Sequence, residues 1–161
     1  MDRRPGMKLS VVVAVVLVSL VAIVSASAAS VTARTEMATY IRQMAPLNAK
    51  IVKAENRLTK AQLGFLGGKV TEAEADAAAR AFTRDVRDAY LGMKAIKPPA
   101  ALKGPHAGFV LTVKTEFTKG GASPARKMAA LKAHWRQEVT AQLRRVGLSV
   151  PLWVKQVRWY F

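Results

Sequence analysis

The sequence predicts an all-α protein: an antiparallel four-helix bundle preceded by an N-terminal signal peptide or signal-anchor helix. Three observations carry this. Residues Leu9 to Val24 form an uncharged apolar run. Alanine-rich segments after residue 31 place apolar residues at three- and four-residue steps, the helical period. Glycine pairs and prolines separate those segments and mark short connections.

The leader comes first. Arg3, Arg4 and Lys8 precede the run and the small residues Ser25 to Ser30 follow it, the layout of a secretory signal. Ala26-Ser27-Ala28 fits the small-x-small cleavage rule and would leave Ala29 as the new N-terminus. An uncleaved anchor is the competing reading: a bilayer needs about 20 apolar residues (about 17–25), which Leu9 to Val31 supplies if its serines are tolerated. Either way the basic start stays inside and the remainder faces out. The expected location is therefore periplasmic, extracellular or anchored on the outer face of the cytoplasmic membrane. The expected domains are 1–30 as leader or anchor, 31–147 as bundle and 148–161 as an aromatic, basic tail.

Helix one is expected from Thr32 or Thr35 to Leu66, with Met37, Ile41, Met44, Ile51, Leu58 and Phe65 on its inner face and a kink or break at Pro46. Gly67-Gly68 closes it. Thr71-Glu72-Ala73-Glu74 is a capping box that opens helix two. Ala75, Ala79, Phe82, Val86, Ala89, Tyr90 and Met93 make its apolar stripe, and Lys97-Pro98-Pro99 ends it. Helix three, the shortest, starts between Pro99 and Pro105, buries His106, Phe109, Val110, Val113 and Phe117, and stops at Gly120-Gly121. Helix four opens with Ser123 as cap and Pro124 in the first turn. It buries Met128, Leu131, Trp135, Val139, Leu143 and Val146, and ends at Gly147. The tail from Leu148 is positioned to cover one end of the bundle.

Composition limits function. With no cysteine there is no disulfide, thiolate metal site, thiol nucleophile or lipoprotein anchor. Formal net charge is +16, from 26 Lys+Arg against 10 Asp+Glu. Such a surplus speaks to partners rather than to fold. Outside a cell those partners are a membrane surface or an anionic cell-envelope polymer, with a protein partner as a further option; nucleic acid is unlikely, since the leader removes the chain from it.

Catalytic constellations are missing. No nucleophile elbow, phosphate-cradling glycine loop or convergent carboxylate pair appears. His106 and His134 are the only histidines; helical placement puts the first on the core side of helix three and the second outside helix four. His106 reads as a hydrogen-bonded core residue. A haem or metal ligand paired with Met44 or Met93 is the sharper alternative, but no second convergent ligand supports it. No cofactor is expected.

Two candidate binding features remain. Lys50, Lys53, Arg57 and Lys60, spaced three, four and three, stack along the outer face of helix one and suit an anionic surface. In the tail, Trp153, Lys155, Arg158, Trp159 and Tyr160 combine aromatic and basic groups as interfacial segments do. The cations of helix four, Arg126, Lys127, Lys132, Arg136, Arg144 and Arg145, point in several directions and define no single face.

The leader, the run Pro98-Pro99-x-x-Leu102-x-x-x-His106 opening a helix, and Ser123-Pro124 opening the last one together resemble small exported bacterial helical-bundle proteins of unknown function. The resemblance implies no activity. Similar proteins often carry a lipoprotein cysteine, which this chain lacks. The expected function is a non-enzymatic binding or structural module; the alternative is an extracytoplasmic small-ligand sensor or carrier with a pocket between the helices near His106.

Overall fold

The computed structural model describes residues 7–119 and 125–156, with side chains described from Ser30 onward except at 116, 117, 119 and 125. The regular structure among the described residues is all helical, with no strand. Helices α1 (Met7–Leu66), α2 (Glu72–Ala95), α3 (Lys103–Lys119) and α4 (Ala125–Arg145) are substantial, and α5 (Leu152–Lys155) is a single turn. A 3-10 turn, Ala100–Leu102, leads into α3. The connection at Gly120-Gly121 and Ser123-Pro124, the Phe117 side chain, Arg158, Trp159 and Tyr160, and the leader side chains lie outside the described residues.

Local signals account for most boundaries. The capping box at Thr71 forms: its hydroxyl accepts from the Glu74 amide, and the Glu74 carboxylate accepts from the Thr71 amide at 2.8 Å. Gly68 (φ 67°) closes α1, with the Gly68 amide donating to the Phe65 carbonyl and Lys69 to Gly64. Gly147 (φ 69°) closes α4 in the same way, through Gly147 to Arg144 and Leu148 to Leu143.

Two expectations about helix one are corrected. It does not begin near Thr32, because no glycine or proline interrupts residues 7–45, and the Thr35 hydroxyl donates back to the Val31 carbonyl at 3.0 Å instead of capping a new start. Of the kink or break expected at Pro46, the break does not occur: α1 continues through this residue. Pro46 lies on an exposed stretch with Arg42, so water can satisfy the carbonyl that loses its partner.

The core joins the apolar stripes of four helices. Met37, Tyr40, Met44 and Ile51 of α1 meet Val86, Ala89 and Met93 of α2, Phe109 and Val113 of α3, and Trp135, Val139 and Leu143 of α4. Helix α1 packs along α2, α2 along α3 and α3 along α4, while α4 returns to α1 over a shorter contact. Burial of these side chains supplies the main drive to fold, about 1.5–3 kcal/mol for each large one. Phe65 departs from the expected inner face. It is exposed with Leu63 and Leu66, since α1 runs past the cover of its neighbours before the turn into α2.

The segment after Gly147 folds back. Leu148, Val150 and Trp153 pack against the core, and Val154 is fully buried. The Trp153 ring lies 6.1 Å from that of Trp135.

Candidate functional site

Three features hold the polar chemistry: a buried hydrogen-bond chain, an ion-paired seam and a basic groove.

The buried chain crosses all four long helices. The Trp135 indole Nε1–H donates to the Tyr40 hydroxyl at 2.8 Å. Tyr40 Oη lies 3.0 Å from His106 Nδ1, and His106 Nε2 lies 3.1 Å from the Met93 carbonyl. Directions follow from what each group can do. A carbonyl only accepts, so His106 carries its proton on Nε2. An indole N–H only donates, so the Tyr40 oxygen accepts and its own O–H turns toward His106 Nδ1. The relay runs Trp135 to Tyr40 to His106 to Met93, with every member satisfied. Stacking reinforces it: Phe109 and Trp135 lie 4.2 Å apart, and Tyr40 meets His106 edge-on at 5.6 Å.

Burial raises the Tyr40 phenol above its ordinary range, partly opposed by the bond from Trp135. Burial also lowers His106 below 6.5, partly opposed by its bond to Met93. Both groups are therefore neutral at pH 7. His106 is the hydrogen-bonded core residue the sequence suggests, and His134 is exposed. Each His106 ring nitrogen is occupied by a protein partner. Among the described residues, no group of three His, Cys, Asp or Glu side chains converges on a metal-sized site.

The basic row on α1 divides into two. Lys50 pairs with Asp88 of α2 at 2.8 Å, and Arg57 pairs with Asp85, which is buried. Lys53 and Lys60 are exposed. Helical geometry explains the division. Seven residues return to within about 20° on a helix, so Lys50 and Arg57 share the edge facing α2, while Lys53 and Lys60 share an edge further out. The acids of α2 thus reach across to α1 and are not spent only on neighbours along their own helix.

A groove on the opposite pair of elements is lined by Arg136, Gln137, Thr140, Ala141 and Arg144 of α4 and by Lys155 of α5. Arg136, Thr140 and Arg144 step by four and share one face. Lys155, a candidate from the tail, therefore joins cations of helix four that showed no common face when all six were taken together. Trp153 turns inward beside Trp135, and Leu152 is exposed. Tyr40, which the sequence reading passed over, was recoverable from its place on the Met37–Met44 stripe.

Two further grooves, both open to solvent, adjoin the end of α2. One is lined by Thr35, Thr39, Tyr40, Pro98 and Pro99 among others, the other by Gln43, Leu47, Gly92 and Ile96 among others. Among the described residues, no helix is long and apolar enough to cross a membrane. No protein-family model, no curated protein and no solved structure matches the chain.

Proposed function

We propose that the protein is an exported or membrane-tethered four-helix bundle that acts as a non-enzymatic binding module at an anionic surface. The surface is a membrane or an anionic cell-envelope polymer, and the leader 1–30 delivers the bundle to it. One observation carries the reading: 26 Lys+Arg against 10 Asp+Glu, a formal net charge of +16, with Asp85 and Asp88 already engaged by Arg57 and Lys50. Lys53 and Lys60 on α1 and the cations lining the α4–α5 groove remain directed outward. Basic residues near an anionic lipid surface gain about 1 kcal/mol each, an attraction screened by salt. Co-sedimentation with vesicles at low and high salt tests this. The reading expects retention on anionic vesicles at low salt and release at high salt; equal behaviour on neutral and anionic vesicles, with no retention on an anionic wall polymer, refutes it.

A second reading, a sensor or carrier of a small ligand, is favoured by the groove that Tyr40, Pro98 and Pro99 line beside the Tyr40–His106 pair. A thermal-shift screen tests it: a stabilising ligand whose effect disappears on changing Thr39 supports it, and a screen without any stabilising ligand removes it.

A further inference from the structure

We propose that the α4–α5 groove is a phosphate-binding site through which the protein grips its anionic surface, the oxyanion being that of a lipid headgroup or of a soluble phosphate ester. This rests on the anionic-surface reading above and names the residues and ligand chemistry within it.

Arg136 and Arg144 stand two turns apart on one face of α4, with Thr140 between them and Gln137 alongside. Lys155 approaches from α5, so cations from two elements face one concave space. Among the described residues, the lining contains no acid. Glu138, the only acid of α4, lies about 130° around the helix from the middle of this face. Arg136, Arg144 and Lys155 form no ion pair among the described residues, in contrast to Lys50 and Arg57 on α1.

Helix chemistry alone does not account for the set. A cation in the last turn of a helix is favoured by the helix dipole, which covers Arg144. Arg136 is mid-helix, where that effect has faded, and like charges held together repel without an anion between them. Two guanidinium forks, an ammonium and a threonine hydroxyl form a donor set that suits the several oxygens of a phosphate. The backbone fixes their relative placement: α5 is held by the fully buried Val154 and by Trp153 beside Trp135. With Val154 inward, Leu152 is left 65% exposed on the same turn that presents Lys155. An apolar side chain beside a basic cluster is the pairing that lets a protein rest at the boundary between headgroups and acyl chains.

The experiment compares three forms of the full chain: wild type, the groove variant R136Q/R144Q/K155Q, and the charge-matched variant K69Q/K94Q/K103Q, whose lysines are exposed and lie outside both basic features. Each is titrated with phosphatidylcholine vesicles containing phosphatidylglycerol, with pure phosphatidylcholine vesicles, and with glycerol 3-phosphate. Thermal melts establish that each variant is folded. The groove variant should lose about a hundredfold in affinity for the anionic vesicles, three basic contacts at about fivefold each. The charge-matched variant should lose less than about tenfold, since the same charge is removed elsewhere. Equal losses in the two variants, or groove-variant binding within about twofold of wild type, overturn the groove while leaving the anionic-surface reading standing. Binding of glycerol 3-phosphate that the groove variant loses, without vesicle binding, upholds the groove as a phosphate site and overturns the membrane version. Wild type that binds neither probe overturns both.

Discussion

Replacing Tyr40 by Phe removes one oxygen from the centre of the molecule and isolates two partners. The ring stays, so apolar packing changes little: Tyr40 is 1% exposed and Phe fills the same volume apart from the hydroxyl. What is lost is the acceptor for Trp135 Nε1–H and the donor for His106 Nδ1, and Trp135 is fully buried while His106 is 6% exposed. A buried polar group left without a partner costs about 1–3 kcal/mol, and part of that is recovered because the Tyr hydroxyl no longer has to be desolvated. Two such groups give a net loss of about 2–4 kcal/mol. At about 4 °C per kcal/mol for a domain of this size, Tm should fall by about 8–16 °C. His106 cannot escape by switching tautomer, because moving its proton to Nδ1 would leave Nε2 facing the Met93 carbonyl with no hydrogen to donate. Thermal and urea unfolding followed by circular dichroism measure the loss. A double-mutant cycle with His106→Leu separates the pair from the surroundings, and the two changes should couple by at least about 1 kcal/mol. A loss in Tyr40→Phe below about 0.5 kcal/mol, or strictly additive effects, would show that the relay does not hold the four helices together.

Because burial holds His106 below 6.5 in the folded chain, the unfolded chain binds more protons as pH falls through that range, and stability must drop with it. Tm should therefore fall from about pH 7.5 to about pH 5.5, and His106→Gln should remove that component of the slope; a wild-type Tm flat across the range contradicts the burial argument. At lower pH, Asp88 and Glu74 add to the loss. The hydrogen bond from Lys50 holds the first below its ordinary range and that from the Thr71 amide holds the second. Asp85→Ala should cost about 1–3 kcal/mol, since it removes the buried member of the Arg57–Asp85 pair, and Asp88→Ala, on an exposed pair, clearly less; the reverse order in urea unfolding would refute the placement. Gly147→Ala should cost about 1 kcal/mol through its positive φ alone, for nothing lies within 4 Å of an added Cβ; an unchanged Tm would refute the left-handed cap. Asn48 is 6% exposed and its Oδ1 has no partner, so Asn48→Leu should raise stability by about 1 kcal/mol, and a loss would mean the oxygen is satisfied by water.

How far the sequence could be read depends on the range of each interaction. The Thr71 capping box and the Gly147 closure are settled within a few residues, so local chemistry specifies them. The burial of Met44, Val86, Met93, Phe109, Trp135 and Val139 follows from helical spacing, for a stripe must face something apolar. Pro46 shows a local rule yielding to context: a proline that would break an isolated helix is carried by one that packs against α2.

The sequence by itself determined that the protein is helical, strongly basic and closed at its helix ends by named residues. Only the tertiary structure decided which side chains meet. Tyr40 reaches His106 across 66 residues and Trp135 across 95, and the acids of α2 select Lys50 and Arg57 out of a row that looked uniform. Arg136, Arg144 and Lys155 share a groove only because the chain after Gly147 turns back onto α4. The physical reason is the same in each case. Caps and stripes depend on hydrogen bonds and spacing within about one turn of helix, whereas contacts between helices depend on rotations and offsets that the packing of the whole core sets at once.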